Sequence, residues 1–328
     1  MSVTVILPVY GHSPWLKEAM DSVLNQESND WKLLIADDGS DEITREWLKS
    51  KINGQKDQRI LWVRRPKNLG LFSNVNHAIM ESNTGWVVLL CSDDKLHKHA
   101  IQSLQRLRKD WPQADLIISS FESINADGSD RPAVSAYHHN ELRKTTGLVQ
   151  PKQMLPELLR LGSLNGNLSG MAFSKEHWQK VGPFREDWSH AADWEWLVRA
   201  SESKPLLLNR SPLALVRTHT QQLSVRNRKS GHECREVADV VRSLVEHPLL
   251  QRTPERHRWA GHVMQFQLWN LIKAASQGDY SQLADGLKAI HNSAGLRQTG
   301  LSLLKWLPKR SQKWRNQTSE QDGQLSIK

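Results

Sequence analysis

Trp86-Val87-Val88-Leu89-Leu90-Cys91-Ser92-Asp93-Asp94 is the stretch on which the fold turns. Its first five residues are apolar, three of them aromatic or β-branched, and they read as a buried central strand. The run stops at two adjacent carboxylates. In an open α/β sheet, ligands bind outside the carboxyl ends of the strands. An acid pair at such an end can hold a hard cation and, through it, a phosphate. Taken alone, Asp93-Asp94 reads equally well as a solvated turn or as the cap of a following helix. The segments on either side decide between these readings.

Upstream, Val3–Val9 is an apolar run that ends in the loop Pro8-Val9-Tyr10-Gly11-His12, and Ser13-Pro14 then supplies an N-cap followed by proline at a first helical position. Leu16, Ala19, Met20, Val23 and Leu24 recur at helical spacing. Lys32–Ala36 is a second strand, and it too ends in paired acids with a turn, Asp37-Asp38-Gly39-Ser40. A helix with Ile43, Trp47 and Leu48 inward follows, then a third strand at Arg59–Arg64. After Asn68-Leu69-Gly70, a further helix turns Leu71, Val75, Ala78 and Ile79 to one side. Strands alternating with helices of about three turns predict βαβ units, a parallel sheet and right-handed crossovers. Two acid pairs then fall on one edge of that sheet.

The chain has 328 residues, enough for one large α/β domain and a smaller one. Its 38% hydrophobic and 24% charged residues exclude a disordered or fibrous class. No apolar run approaches the ~18–20 residues of a membrane span, and strand-like sequence from Val3 leaves no signal-peptide pattern. Two cysteines, Cys91 and Cys234, argue against a disulfide framework and for a reducing, cytoplasmic setting. The net charge of +9 is uneven: from residue 226 onward there are 17 Lys and Arg against 9 Asp and Glu, and before it 27 against 26. A near-neutral body therefore carries a basic C-terminal region, which suggests segments with different partners.

Residues 1–94 resemble the nucleotide-sugar half of family-2 glycosyltransferases with the GT-A fold. The resemblance is carried by Leu7-Pro8-Val9-Tyr10, Ser22-Val23-Leu24-Asn25-Gln26, Asp37-Asp38-Gly39-Ser40, Asn68-Leu69-Gly70 and Ser92-Asp93-Asp94. Each motif is weak singly, but the five in this order and spacing are specific. The resemblance implies a Rossmann-like, mostly parallel sheet flanked by helices. It also implies that Pro8, Val9, Tyr10 and Asp38 face the nucleotide base, and that Asp93 and Asp94 bind ribose and a divalent metal, Mn²⁺ or Mg²⁺. Many members carry an acid where Cys91 stands, so the acid motif departs from the family form at that position.

Further on, Leu116–Phe121 reads as a strand and residues 122–150 as a long polar loop, of the kind that is functional or mobile. His138-His139 would share one ion poorly, because neighbours on an extended chain point apart. Pro151–Leu161 is an amphipathic helix through Met154, Leu155, Leu158 and Leu159. The resemblance resumes in the small-residue strand Gly166–Phe173 and the Val181-Gly182-Pro183-Phe184 turn. The acid before the aromatic-rich helix at Asp193-Trp194-Glu195-Trp196 matches the family's catalytic base, with Glu195 as the alternative, although an acid at a helix start is ordinarily a cap. Leu213–Val216 reads as a short strand, followed, ahead of Ser224, by Arg217-Thr218-His219. That last segment resembles the family's Arg-x-His, which implies a metal or phosphate role for His219 and charge from Arg217 at the diphosphate.

The sequence thus predicts a domain at 1–225, divided into a nucleotide-sugar half (1–94) and an acceptor half (95–225), and a mainly helical C-terminal region at 226–328. Helices are expected at Val237–Val245 and Trp259–Ala275. Between Gly286 and Ser319 there is no acid, while Lys288, Arg297, Lys305, Lys309, Arg310, Lys313 and Arg315 interleave with Leu301, Leu303, Leu304, Trp306, Leu307 and Trp314. This pattern fits either a packing helix with a solvated face or a segment lying on a membrane interface; no nucleic-acid motif accompanies it. The expected activity is inverting transfer of a sugar from a nucleoside diphosphate sugar, UDP-linked, to a hydroxyl of a carbohydrate or lipid-linked acceptor, in surface polysaccharide or lipopolysaccharide synthesis. A nucleotidyltransferase would carry a Gly-rich basic loop after the first strand, which Pro8–Ser13 lacks. The other alternative is a non-catalytic nucleotide-sugar-binding or membrane-surface scaffold.

Overall fold

A computed structural model of the chain describes residues 2–131, 137–164, 168–223, 227 and 230–307. Gly166, Asn167, Ser224 and the tail residues Lys309, Arg310, Lys313, Trp314 and Arg315 lie outside the described residues. Two compact units are formed, Met1–Leu158 with Ser163–Lys229, and Leu159–Gly162 with Ser230–Lys328.

The first unit is built on a nine-stranded sheet in the order β3-β2-β1-β4-β8-β6-β9-β5, with β7 beside β9. The strands are β1 (Val3–Val9), β2 (Trp31–Asp37), β3 (Ile60–Arg64), β4 (Trp86–Leu89), β5 (Lys95–Leu96), β6 (Leu116–Asn125), β7 (Gly147–Val149), β8 (Ala172–Ser174) and β9 (Leu206–Thr218). The α/β expectation holds. β3, β2, β1 and β4 are mutually parallel, and antiparallel pairing enters where β8 lies between β4 and β6. Crossovers are made by α1 (Leu16–Leu24), α2 (Glu42–Gln55) and α3 (Leu71–Glu81), and then come α4 (Ala100–Asp110), α5 (Tyr137–Leu142), α6 (Pro151–Leu161), α7 (Lys175–Val181) and α8 (Ala192–Ser203). β1, β2 and β4 bury Val5, Leu7, Leu33, Ile35 and Val88 completely, as central strands covered on both faces must.

Three sequence expectations are corrected. Ile43 is 74% exposed: Asp41 caps α2 by accepting from the Thr44 amide at 2.9 Å, which turns Thr44 and Leu48, one turn apart, to the core and leaves Ile43 off that face. The 122–150 segment is not a bare loop, because β6 runs on to Asn125 and is followed by α5 and β7. β9 is 13 residues long, not a short strand at 213–216. The polar Asn209-Arg210-Ser211-Pro212 insert that hid its continuity sits at the register shift between β6 and β9, where Asn209 closes a local turn on Ser211.

The second unit is helical: α9 (His232–Glu246), α10 (Arg256–Ser276), α11 (Leu283–Ser293) and helical residues 296–307. α10 packs closely on the 296–307 segment, since a Cβ on Gly261 would stand 2.8 Å from the Gln298 carbonyl. Gln267 donates to the buried Glu233 at 2.9 Å, which joins α10 to α9.

Candidate functional site

The parallel register places the ends of β1, β2 and β4 on one edge of the sheet, as the two acid pairs require. The Asp37–Ser40 turn is tight enough that Gly39 has φ of 71° and lies where a Cβ would meet the Lys67 carbonyl carbon at 2.7 Å. Gly11 N–H donates to Ser40 Oγ at 3.1 Å, tying the β1 loop to this turn.

Asp37 and Asp38 are both buried. Asp37 Oδ1 accepts from Ser40 N at 2.8 Å, with Arg64 Nε 3.5 Å from its other oxygen. Asp38 accepts from the amides of Leu69 and Gly70 at 2.8 and 3.0 Å, so it organises the Asn68–Gly70 turn. Burial pushes the Asp38 carboxyl up from its ordinary value, against the pull of those two amides. Of the β1 residues expected at the base, Tyr10 is exposed and Pro8 half-buried. The Val9 side chain is in the core at 1% exposure, because strand alternation turns it inward, and its carbonyl is taken by the Asp38 amide at 2.8 Å. The Val9 side chain therefore belongs to the core.

At the end of β4 the two acids differ. Asp94 is 1% exposed, with Oδ1 accepting from Arg217 N at 2.7 Å and Oδ2 from the Ser169 hydroxyl at 2.6 Å. Asp93 is partly open and accepts at Oδ2 from His219 Nε2 at 2.9 Å. The His219 tautomer follows from its other nitrogen, which accepts from the Gln221 amide at 3.2 Å. Ligand atoms of Cys91, Asp93 and Asp94 lie within 4.8 Å of one another, the one such group among the described residues. Burial pushes the Cys91 thiol well up, and the charges of Asp94, Asp93 and Asp193 add to it, so the sulfur stays protonated and is a poor partner for a hard cation.

Asp193, whose charge acts on that thiol, stands in the first turn of the aromatic-rich helix. Its Oδ1 accepts from the Trp194 amide at 2.9 Å, at the start of α8. Glu195 is directed elsewhere: it forms a two-point pair with Arg199, at 2.7 and 2.9 Å, while Arg199 also donates to the Val181 and Pro183 carbonyls. Glu195 therefore clamps α8 to the preceding turn.

Arg217 does not offer its charge outward. It is 1% exposed, and its guanidinium donates to the Asp93 carbonyl at 2.9 Å, to the Ala126 carbonyl at 3.0 Å and to Glu18 at 2.9 Å. In this arrangement Arg217 braces the acid turn. Trp15 lies over both neighbours, its ring 4.3 Å from that of His219 and 5.2 Å from the Arg217 guanidinium, with Nε1 bonded to the Ala126 carbonyl at 2.9 Å. Sequence reasoning missed Trp15, Glu18 and Ser169. No motif gives the part they play, since each is brought in from a distant segment.

His138-His139 takes no part here. His139 is on α5, buried, and bonded to Ser120 Oγ at 3.2 Å and the Leu164 carbonyl at 2.7 Å. Burial lowers its pKa from 6.5 to about 4. No described helix is long and apolar enough to cross a membrane.

The comparisons agree with this arrangement. The chain is 33% identical over 102 residues to the putative teichuronic acid biosynthesis glycosyltransferase TuaG of Bacillus subtilis, covering 30% of this chain and 39% of TuaG. It spans only 13 to 20% of the length of four further curated relatives. Among solved structures, S. aureus TarS 1-349 in complex with UDP-GlcNAc superposes with a TM-score of 0.65 at 13% identity, covering 91% of this chain and 83% of that one. Mannosyltransferase PcManGT from Pyrobaculum calidifontis, in complex with GDP-Man and Mn²⁺, gives 0.58 at 16% identity over 92% and 86%. These likenesses establish a shared fold. The glycosyl transferase family 2 model matches residues 4–171, half of the chain, and takes in the ends of β1, β2 and β4 together with Ser169. By that match and the acid edge within it, the chain belongs to glycosyl transferase family 2.

Proposed function

We propose that the protein transfers a sugar from a nucleoside diphosphate sugar, UDP-linked, to an acceptor hydroxyl with inversion at the anomeric carbon. The observation that carries this reading is the division of labour at the end of β4, where Asp94 is locked inside and Asp93 stands open beside His219. The donor set fits a divalent cation: Asp93 supplies hard carboxylate oxygen, Asp94 lies behind it and His219 beside it. When bound, Mn²⁺ or Mg²⁺ supplies charge neutralisation for the diphosphate leaving group. Arg217 and Ser169 keep the acid turn in one orientation. Asp193 takes the proton of the attacking hydroxyl, as a carboxylate within hydrogen-bond reach can. Attack from the face opposite the leaving group inverts the centre. Tyr10 and the Asp38-organised turn flank the nucleotide. The acceptor belongs to a surface polysaccharide or lipopolysaccharide, carbohydrate or lipid-linked; the teichuronic acid relative supports a polysaccharide.

The test is nucleoside diphosphate release from a panel of UDP- and GDP-sugars, with and without Mn²⁺. Release from one donor, dependent on metal and abolished in Asp93→Ala, is expected. Failure of every donor to bind would leave the scaffold reading in its place.

A further inference from the structure

Helix α10 carries more apolar side chains than its inward face accommodates. Ala260, Met264 and Leu271 are buried, whereas Phe266 and Ile272 are 47% and 44% exposed. The 296–307 segment behaves likewise: Thr299 and Leu303 turn inward, and Leu301 and Leu304 stand 45% and 66% exposed. At 100° per residue, Leu304, Arg297, Leu301 and Lys305 fall in one stripe about 100° wide, and both basic residues on it are exposed. Trp306, about 150° around this helix from that stripe, meets Phe266 and Trp269 edge-on at 5.1 and 6.1 Å, so the two helices are joined on the packed side and the stripe is left facing away. Single exposed leucines need no explanation, but apolar side chains clustered on one face do.

We propose that the Leu301–Leu304 stripe docks on an anionic lipid surface, with Leu301 and Leu304 entering the boundary between headgroups and acyl chains and Arg297 and Lys305 meeting lipid phosphates. Charge selects the occupant. The sequence between Gly286 and Ser319 holds seven basic residues and no acid, which complements an anionic bilayer. A second copy would bring the same positive charge to the same face and be repelled. This inference is independent of the transferase reading, because its readout is binding.

The experiment is sedimentation of the full chain with phosphatidylcholine vesicles, and with vesicles about one third phosphatidylglycerol, at low and high salt. The protein is expected to pellet with the anionic vesicles alone, less at high salt. Leu301→Ser with Leu304→Ser should weaken partition about tenfold per leucine, and Lys305→Gln, which removes one charge, by roughly fivefold. All three positions are exposed, so the variants should keep the wild-type circular dichroism and melting temperature. No pelleting, equal pelleting with neutral vesicles, or unchanged binding of the double leucine variant overturns the proposal. So does a vesicle-free dimer that dissociates on Leu304→Ser, which would assign the face to a second copy.

Discussion

The acid pairs at the ends of β2 and β4 look interchangeable as sequence, and the fold uses them differently. At β2 both carboxylates are buried and turned to the protein: Asp37 accepts from Ser40 at one oxygen and has Arg64 3.5 Å from the other, and Asp38 accepts from the amides of Leu69 and Gly70. At β4 only Asp94 is consumed, by Arg217 N and Ser169, while Asp93 keeps an open side. A carboxylate saturated by internal donors is scaffold. One left partly open, and oriented by a saturated neighbour, is free for a ligand. An acid pair at a strand end is therefore better judged by what its oxygens accept than by its presence.

Substitutions can break that distinction, and the largest effect belongs to the open acid. Asp93→Ala should lower kcat/KM by about 10³-fold or more and shift the melting temperature by no more than about 2 °C, since only the His219 bond is lost; a large melting shift with activity retained would reverse the assignment. Asp193→Asn should cost about 10²–10⁴ in kcat with donor affinity unchanged, as titration calorimetry with the sugar nucleotide would record. Asp94→Ala strands two buried donors and should destabilise the fold by about 2–4 kcal/mol in urea unfolding. The smallest effect lies among the histidines, where buried His139 plays the saturated part and His219 the open one. His139 holds a pKa of about 4 when folded, against 6.5 unfolded. The unfolded chain therefore takes up its proton first as pH falls, and the stabilisation, complete above pH 6.5, is lost from there down to pH 4. Between pH 7 and 5 this amounts to about 2 kcal/mol, and His139→Gln should flatten the pH dependence of unfolding by that amount.

The parallel half of the sheet was legible because each of its elements is written locally. Val3–Val9, Trp31–Asp37 and Trp86–Leu89 are short apolar runs, each ended by a motif, and hydrophobic periodicity finds them to within a residue or two. Beyond β4 the reading loosened for a physical reason. β9 is apolar at both ends and polar in the middle, since its bulge needs Asn209 to fold back on Ser211. In the site, the acids and His219 were legible by motif. The side chains that orient them were not: Ser169 stands 75 positions from Asp94, and Glu18 stands 199 from Arg217. Arg217 was found, but its internal partners were not, because spacing cannot tell a buried guanidinium from an exposed one.

The Arg217 brace also dictates when the site can exist during folding. Its bonds to Asp93 and Asp94 span more than 120 residues, whereas β1, β2, β3 and β4 are joined by nearer crossovers. Closing long loops is slow compared with local pairing. The parallel half can therefore assemble with its acid turn still unoriented, and the turn acquires its single arrangement only when β9 is laid down. Competence to bind at that edge thus arrives with the last strands of the sheet, as a kinetic report that the whole unit has closed.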